Sequence, residues 1–271
     1  MTVRIEKNEA IWTVIHDRPE ARNAMDPASA EALTAAFLEF DADKSASVAV
    51  FYGAGGAFCA GWDLKYVSTL DAKRPLGELD IPTAGPRGNG GEIPRGPLGP
   101  SRLELDKPVI AAIEGPAVAG GMELGLWCDF RVMAQGSYFG VYCRRWGVPL
   151  IDGGTVRLPR IVGQGRALEI ILTGRKVPAE ECLNIGLCEY VTPKGGAREK
   201  AEALAQEIGR FPQVCVRADR RSAIKSQGLS VREGLIQEWY NGREALIEDG
   251  VAGATRFKEG LGRHGDFQKI R

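Results

Sequence analysis

The 271-residue sequence has no charge of either sign to spare: Lys and Arg together number 35, and so do Asp and Glu. That balance gives no electrostatic pull toward a polyanion, so no nucleic-acid partner is expected. No apolar run approaches the roughly 20 residues that a membrane helix needs, so no membrane partner is expected. The opening MTVRIEKNEAIW lacks a basic region, an apolar region and a small-residue cleavage site, and predicts no secretory signal. Histidine is scarce. His16 lies in a strand-like run and His264 in a charged tail, which argues against a zinc site or a Ser-His relay. There is no G-K-[ST] phosphate loop and no G-x-S-x-G elbow. The cysteines (Cys59, Cys128, Cys143, Cys182, Cys188 and Cys215) form no C-x-x-C pair. Most sit among apolar neighbours, as buried reduced thiols of a cytoplasmic protein do. What remains is 44% hydrophobic, in the range of a soluble globular chain long enough to bury a substantial core.

The chain then divides into short strands and helices. VRIEKNEAIWTVIHD alternates apolar and polar residues about KNE and predicts a hairpin. DPASAEALTAAFLEFDAD places Asp26 as N-cap and Pro27 at the first helical position, ahead of apolar residues at helical spacing. SVAVFYG, KPVIAAIEG, FRVMAQ and EYVT predict strands. GGMELGLWCD, GRALEIILTG and PAEECLNIGL predict helices. Residues 75–100 hold six Pro and seven Gly among 26 positions and predict a long, mobile loop of the kind that forms lids or binding segments. From Gly196 onward the pattern is helical throughout. These signals predict an α/β core over residues 1–195 and an all-α segment over residues 196–271.

Two strand-to-turn junctions are alike: VAVFYGAGGAFCAGWDL and VIAAIEGPAVAGGMELG. Each ends a strand in small residues and leads into a segment able to start a helix. The first N–H groups of a helix lack internal partners and, with the helix dipole, favour negative charge. One N–H from each junction converging on a carbonyl oxygen would make an oxyanion hole. Gly61, Gly120 and Gly121 would let a ligand approach the backbone closely. Glycine-ended strands are common in α/β proteins, so spacing alone leaves a plain packing role open.

Five stretches together resemble the crotonase (enoyl-CoA hydratase/isomerase) superfamily: RPEARNAMD (18–26), GGAFCAGWDL (55–64), KPVIAAIEGPAVAGGMELGLWCDFRVMA (107–134), FGVYCRRWGVPLIDGGTVRLPRIVG (139–163) and LTGRKVPAEECLNIGLCEYV (172–191). They occur in family order and cover most of the chain. The resemblance implies a spiral of ββα units followed by a helical segment that builds a trimer, often paired into a hexamer. It implies an acyl-CoA substrate, with coenzyme A as part of that substrate and neither a separate cofactor nor a metal. The chemistry implied is stabilisation of a thioester enolate. The two oxyanion donors match the N–H groups of Trp62 and Gly120. The Trp62 side chain is read as pocket lining or as an ordinary core aromatic.

Hydratases of that family use two glutamates to position water and move protons. Glu123 matches the first, although a carboxylate at a helix start is also a favourable structural choice. The second position holds Cys143, a departure, since a largely neutral thiol is a poor holder of water. Asp152 matches an acidic catalytic residue of some relatives, notably dienoyl-CoA isomerases. Its alternative role is to cap the helix beginning near Gly154. Arg144 or Arg145 is expected to pair with Asp152 or with substrate, or to be a surface charge. By resemblance, coenzyme A is held around Ala21, Ala60, Asp63 and Leu64. Arg22 is read either as a phosphate contact or as a solvated charge. Phe257 and Lys258, in TRFKEGLGRHGDF, match a closing helix whose basic tail is diluted here. The expected reaction is addition of water to a 2-enoyl-CoA. Double-bond isomerisation is the alternative, because it needs only proton shuttling. A non-catalytic acyl-CoA-binding protein is the second alternative.

Overall fold

The computed structural model describes residues 2–81 and 93–261. Strands β1 (Val3–Asn8) and β2 (Ile11–His16) pair antiparallel, with Asn8 opposite Ile11 across a two-residue turn in which Glu9 takes φ 51°. Helix α1 (Pro27–Ala42) starts as the sequence predicts: the Asp26 carboxylate accepts from Ser29 N–H at 2.8 Å. A cap of this kind is worth about 1 kcal/mol. There follow β3 (Val48–Gly53), a single turn α2 (Leu64–Val67), β4 (Val109–Ile113), β5 (Pro116–Val118) and α3 (Gly120–Trp127). The next group is β6 (Phe130–Ala134), β7 (Tyr138–Gly140), α4 (Gly154–Val162), α5 (Gln164–Thr173), β8 (Lys176–Pro178), α6 (Ala179–Asn184) and β9 (Tyr190–Thr192). The chain then runs through α7 (Ala197–Gly209), α8 (Gln213–Lys225), α9 (Val231–Ala245), a π-helical turn (Leu246–Gly250) and α10 (Val251–Lys258).

The larger sheet runs β1-β2-β3-β4-β6-β9 and is parallel except at β1; a smaller sheet runs β5-β7-β8. Successive units give one strand to each sheet, β4 then β5 and β6 then β7, so the backbone advances as a spiral. The three strands of the small sheet are three residues each. They are too short for a period-2 pattern and were not among the strands predicted from sequence.

Side chains alternate across the large sheet and build two cores. Trp12, Val14, Ala49, Phe51, Ala111 and Ile113 face α1, where Leu33, Phe37 and Phe40 meet them. Ile11, Val48, Val50, Ile110, Ala112 and Val132 face α7, which presents Ala197, Ala201, Leu204 and Ala205 at helical spacing. The alternation in β2 does not leave one face in water. All six of its residues are buried, because α7 covers the second face. Thr13 survives there by donating its hydroxyl to Glu202 at 2.7 Å.

Residues 82–92 of the predicted loop lie outside the described residues. The stretch that follows is not loose. Gly96 and Gly99 exchange both main-chain hydrogen bonds, at 3.0 and 2.9 Å, and the turn they close packs into the site described next.

Candidate active site

The turn after β3 is bolted on one side only. Met25 N–H donates to Gly61 O (2.7 Å) and Asp63 N–H donates to Met25 O (2.9 Å), a parallel bridge centred on Trp62. In such a bridge the central residue's own N–H and C=O face the other way. The turn requires glycine at Gly61, which has φ 90°; a Cβ there would lie 2.8 Å from Ala119 Cβ and 3.1 Å from Gly120 N. The two junctions therefore touch. Ala119 itself takes φ 54° and ψ −124°, a conformation that costs a non-glycine residue on the order of 1–3 kcal/mol. Its N–H donates to Gly140 O at 2.8 Å, so the small sheet holds the strained residue in place. Among the described residues, neither Trp62 N–H nor Gly120 N–H has a protein acceptor.

Both residues line one pocket, together with Ala60, Leu64, Leu98, Glu123, Tyr142, Cys143, Trp146 and Asp152. Glu123 is buried one helical turn below Gly120. Its Oε1 accepts from Asp152 N–H (2.9 Å) and Gly154 N–H (2.8 Å), so it occupies the N-terminus of α4 from outside that helix. Burial, and then the charge of Asp152, push its carboxyl up to about 8. Asp152 is also buried, and burial raises its carboxyl above the ordinary range. Opposing that rise, Ser101 Oγ and Leu98 N–H (3.2 Å) both donate to Oδ1. Its Oδ2 is buried and has no partner among the described residues. Asp152 does not cap α4: Gly153 is the cap, without a side-chain bond. Cys143 faces the same pocket, its thiol pushed up by burial and then by the nearby Glu123.

The predicted coenzyme A residues divide. Ala60 and Leu64 line the pocket. Ala60 N–H donates to Arg22 O at 3.0 Å, stapling the 19–24 turn to the 59–63 turn. Ala21 lies in that first turn, with its N–H on Arg18 O and its carbonyl accepting from Ala24 N–H. Arg22 is exposed, at φ 51°. The Asp63 carboxylate is held by Arg18 Nη1 at 2.8 Å and by Lys65 N–H at 3.0 Å. Phe257 and Lys258 lie in α10 and are not among the residues lining the pocket.

Several residues escape the sequence reading. Neither Arg144 nor Arg145 reaches Asp152. Arg144 donates to Ile171 O at 2.6 Å and Arg145 stacks on Tyr142, both exposed. The arginines whose charge reaches Asp152 are Arg102 and Arg157, and the Arg157 guanidinium also bridges Asp152 O and Ser101 O at 2.9 Å each. Ser101 and Leu98 were hidden in a loop with no periodicity to place them. Arg18, which joins Asp63, Asp26 and Ala24 O, had only its position in RPEARN as a signal. Among the described residues no cluster of His, Cys, Asp and Glu is arranged to hold a metal ion.

The Enoyl-CoA hydratase/isomerase family matches residues 6–75 and 101–259. Enoyl-CoA hydratase EchA19 of Mycobacterium tuberculosis is 31% identical over 252 residues, covering 90% of this chain and 88% of that protein. Carnitinyl-CoA dehydratase of Salmonella typhi is 34% identical over 236 residues, covering 86% of this chain and 84% of that protein. Among solved structures, enoyl-CoA hydratase EchA1 from Mycobacterium marinum superposes with a TM-score of 0.84 at 33% identity, covering 95% of this chain and 96% of that one. Sequence, fold and the pairing of two glycine junctions above buried carboxyls agree, and the chain belongs to the enoyl-CoA hydratase/isomerase family of the crotonase superfamily.

Proposed function

We propose that the protein adds water reversibly across the C2–C3 double bond of a 2-enoyl-CoA. The observation that carries this reading is the meeting, in one pocket, of two N–H groups without acceptors among the described residues and two buried carboxyls. The thioester oxygen lies between Trp62 N–H and Gly120 N–H. As hydroxide adds to C3, the double-bond electrons move toward that oxygen and the enolate charge gathers there. Donors fixed in advance at such a point are worth about 3 kcal/mol each in barrier height. Two carboxyls in one buried site resist ionising together. Both carboxyls accept hydrogen bonds that oppose the rise from burial, and the charge of Asp152 adds to the rise at Glu123, which retains its proton to about 8. Asp152 is therefore the base that takes a proton from water, and Glu123 the acid that delivers one to C2. Cys143 leaves the water to these two groups.

The coenzyme A moiety runs out past Ala60 and Leu64 toward the stapled turns that carry Ala21, Arg22 and Asp63, and no separate cofactor takes part. Copies of the chain assemble through the helices after α7, as a trimer or a dimer of trimers, where Leu235, Trp239, Tyr240, Ile247 and Val251 are exposed. A neighbouring copy is then what brings Phe257 and Lys258 to a coenzyme A site. Free thiols buried at Cys59, Cys128, Cys143, Cys182 and Cys188 support a reducing, cytoplasmic setting. No helix among the described residues is long and apolar enough to cross a membrane.

Loss of the conjugated absorbance of crotonyl-CoA measures the reaction. Glu123→Gln should retain binding and lose about 10²–10⁴-fold in kcat. If wild type leaves several 2-enoyl-CoA chain lengths untouched but converts a 3-enoyl-CoA to its 2-enoyl isomer, the protein is an isomerase. If it binds acyl-CoA and turns over neither, it is a binding protein.

A further inference from the structure

Asp152 is held by groups at the end of the Pro/Gly-rich loop and just after it. Ser101 is fully buried, and its hydroxyl hydrogen is donated to Asp152 Oδ1. Leu98 N–H donates to the same oxygen at 3.2 Å. Leu98 lies within the turn that Gly96 and Gly99 close, and Ser101 follows directly in the single 3-10 turn Pro100–Arg102. The opposite oxygen, Oδ2, has no partner among the described residues, although Asp152 is 1% exposed and lines the pocket. A buried carboxylate oxygen left bare beside a fully occupied twin is costly unless a ligand completes it.

The rest of the stretch serves the same end. Arg157 ties the main chains of Ser101 and Asp152 together through their carbonyls. The Leu98 side chain lies directly over Gly120, where a Cβ would come within 2.6 Å of its Cγ. One turn therefore sets both the wall above a proposed oxyanion donor and the orientation of the proposed base. Gly96 makes that seating possible, because a Cβ at this position would collide with Ser101 Oγ and Asp152 Oδ1.

We propose that Ser101, seated by the Gly96–Gly99 turn, is a positioning residue that locks the Asp152 carboxylate with Oδ1 turned to the loop and Oδ2 turned to the reacting water. This rests on the reading of Asp152 as the base. With two donors fixed on Oδ1, the carboxylate cannot rotate without breaking both, and Oδ2 keeps the lone pairs that receive the proton. The same donors favour the ionised form, which the base must hold before each turnover.

The test compares wild type with Ser101→Ala, Ser101→Thr, Gly96→Ala and Asp152→Asn in crotonyl-CoA hydration from pH 5 to 9, with thermal unfolding as a check that each variant folds. Ser101→Ala should lower kcat about tenfold with KM within about twofold, the loss of one hydrogen bond to a charged group. It should also move the acidic limb of the pH profile to higher pH. Ser101→Thr should restore most of the rate, and Gly96→Ala should reproduce the Ser101→Ala profile. If Ser101→Ala keeps the wild-type rate and limb while Asp152→Asn is inactive, Ser101 positions nothing. If Asp152→Asn matches wild type, the reading of Asp152 as base falls, and this proposal with it. Infrared titration of the Asp152 carboxyl, taken as wild type minus Asp152→Asn, reads the same coupling without turnover. Its midpoint should rise in Ser101→Ala, and an unmoved midpoint overturns the proposal.

Discussion

Glu123 and Asp152 are both buried carboxyls raised by burial, and they differ in the neighbours that add to that rise or oppose it. Glu123 feels the Asp152 charge as well as burial, and retains its proton up to about 8. Asp152 receives a hydroxyl and an N–H on one oxygen, which opposes its burial. If Glu123 is the acid, kcat/KM for hydration should fall as pH rises through about 8, with unit slope. A rate that stays level to pH 9.5 would remove Glu123 from that role. His16 carries a second pH dependence, away from the pocket. It is fully buried, and among the described residues neither ring nitrogen has a partner. Burial lowers it to about 4, with Asp26, Arg18 and Asp17 as its charged neighbours. The unfolded chain protonates His16 near pH 6.5, whereas the folded chain resists until about 4. Its contribution is therefore complete above pH 6.5 and is lost as pH falls toward 4, by roughly 3 kcal/mol. Urea unfolding of wild type and His16→Leu checks this: their stability difference should shift by about 2 kcal/mol between pH 7 and pH 4.5. Parallel curves would count against it.

The turns carry the proposed chemistry more than any side chain does. Trp62 contributes an N–H that survives replacement of its indole, so Trp62→Ala should hold kcat within about tenfold and act mainly on KM. Gly61→Ala should be far worse. It adds a methyl group where φ is 90° and where Ala119 Cβ would stand 2.8 Å away, so the two junctions must part. The expected loss is about 10²–10³-fold in kcat, the cost of one displaced oxyanion donor. Hydration assays on the two variants side by side test the idea, and an unaffected Gly61→Ala enzyme would refute it. The junctions were legible in sequence as strand ends rich in small residues, and the match to family motifs identified which N–H groups to examine. Their contact was not legible. It depends on β5 pairing with β7, a three-residue strand pair with no period to detect, and on Gly140 O holding Ala119 in its strained conformation.

At the scale of the molecule, the large sheet is covered on both faces by α1 and α7, while the helices beyond α7 leave apolar side chains in solvent. Trp239 and Tyr240 on α9 and Val251 on α10 are each about two-thirds exposed, at 60%, 66% and 69%. On the proposed assembly, these apolar side chains are where copies of the chain meet. Sedimentation of wild type should give a closed oligomer, and Leu235→Asp combined with Trp239→Asp should reduce it to the mass of a single chain. A wild-type protein that sediments as one chain at micromolar concentration would dismiss the assembly.

The sequence by itself determined the hairpin, the capped α1, the buried strands β3, β4 and β6, the helical run after residue 196 and the residues to examine at positions 62, 120, 123 and 152. Those features follow from local propensity and period, or from motifs contiguous in the chain. The tertiary structure alone decided that Glu123 would take the N–H groups of α4, and that Arg157 rather than Arg144 or Arg145 would reach Asp152. It also decided that Ser101, 51 positions from Asp152, would hold its carboxylate. Each of these is a contact between distant segments. Loop residues have no periodicity that reveals their partners, and partner choice is settled only when the sheets bring their ends together.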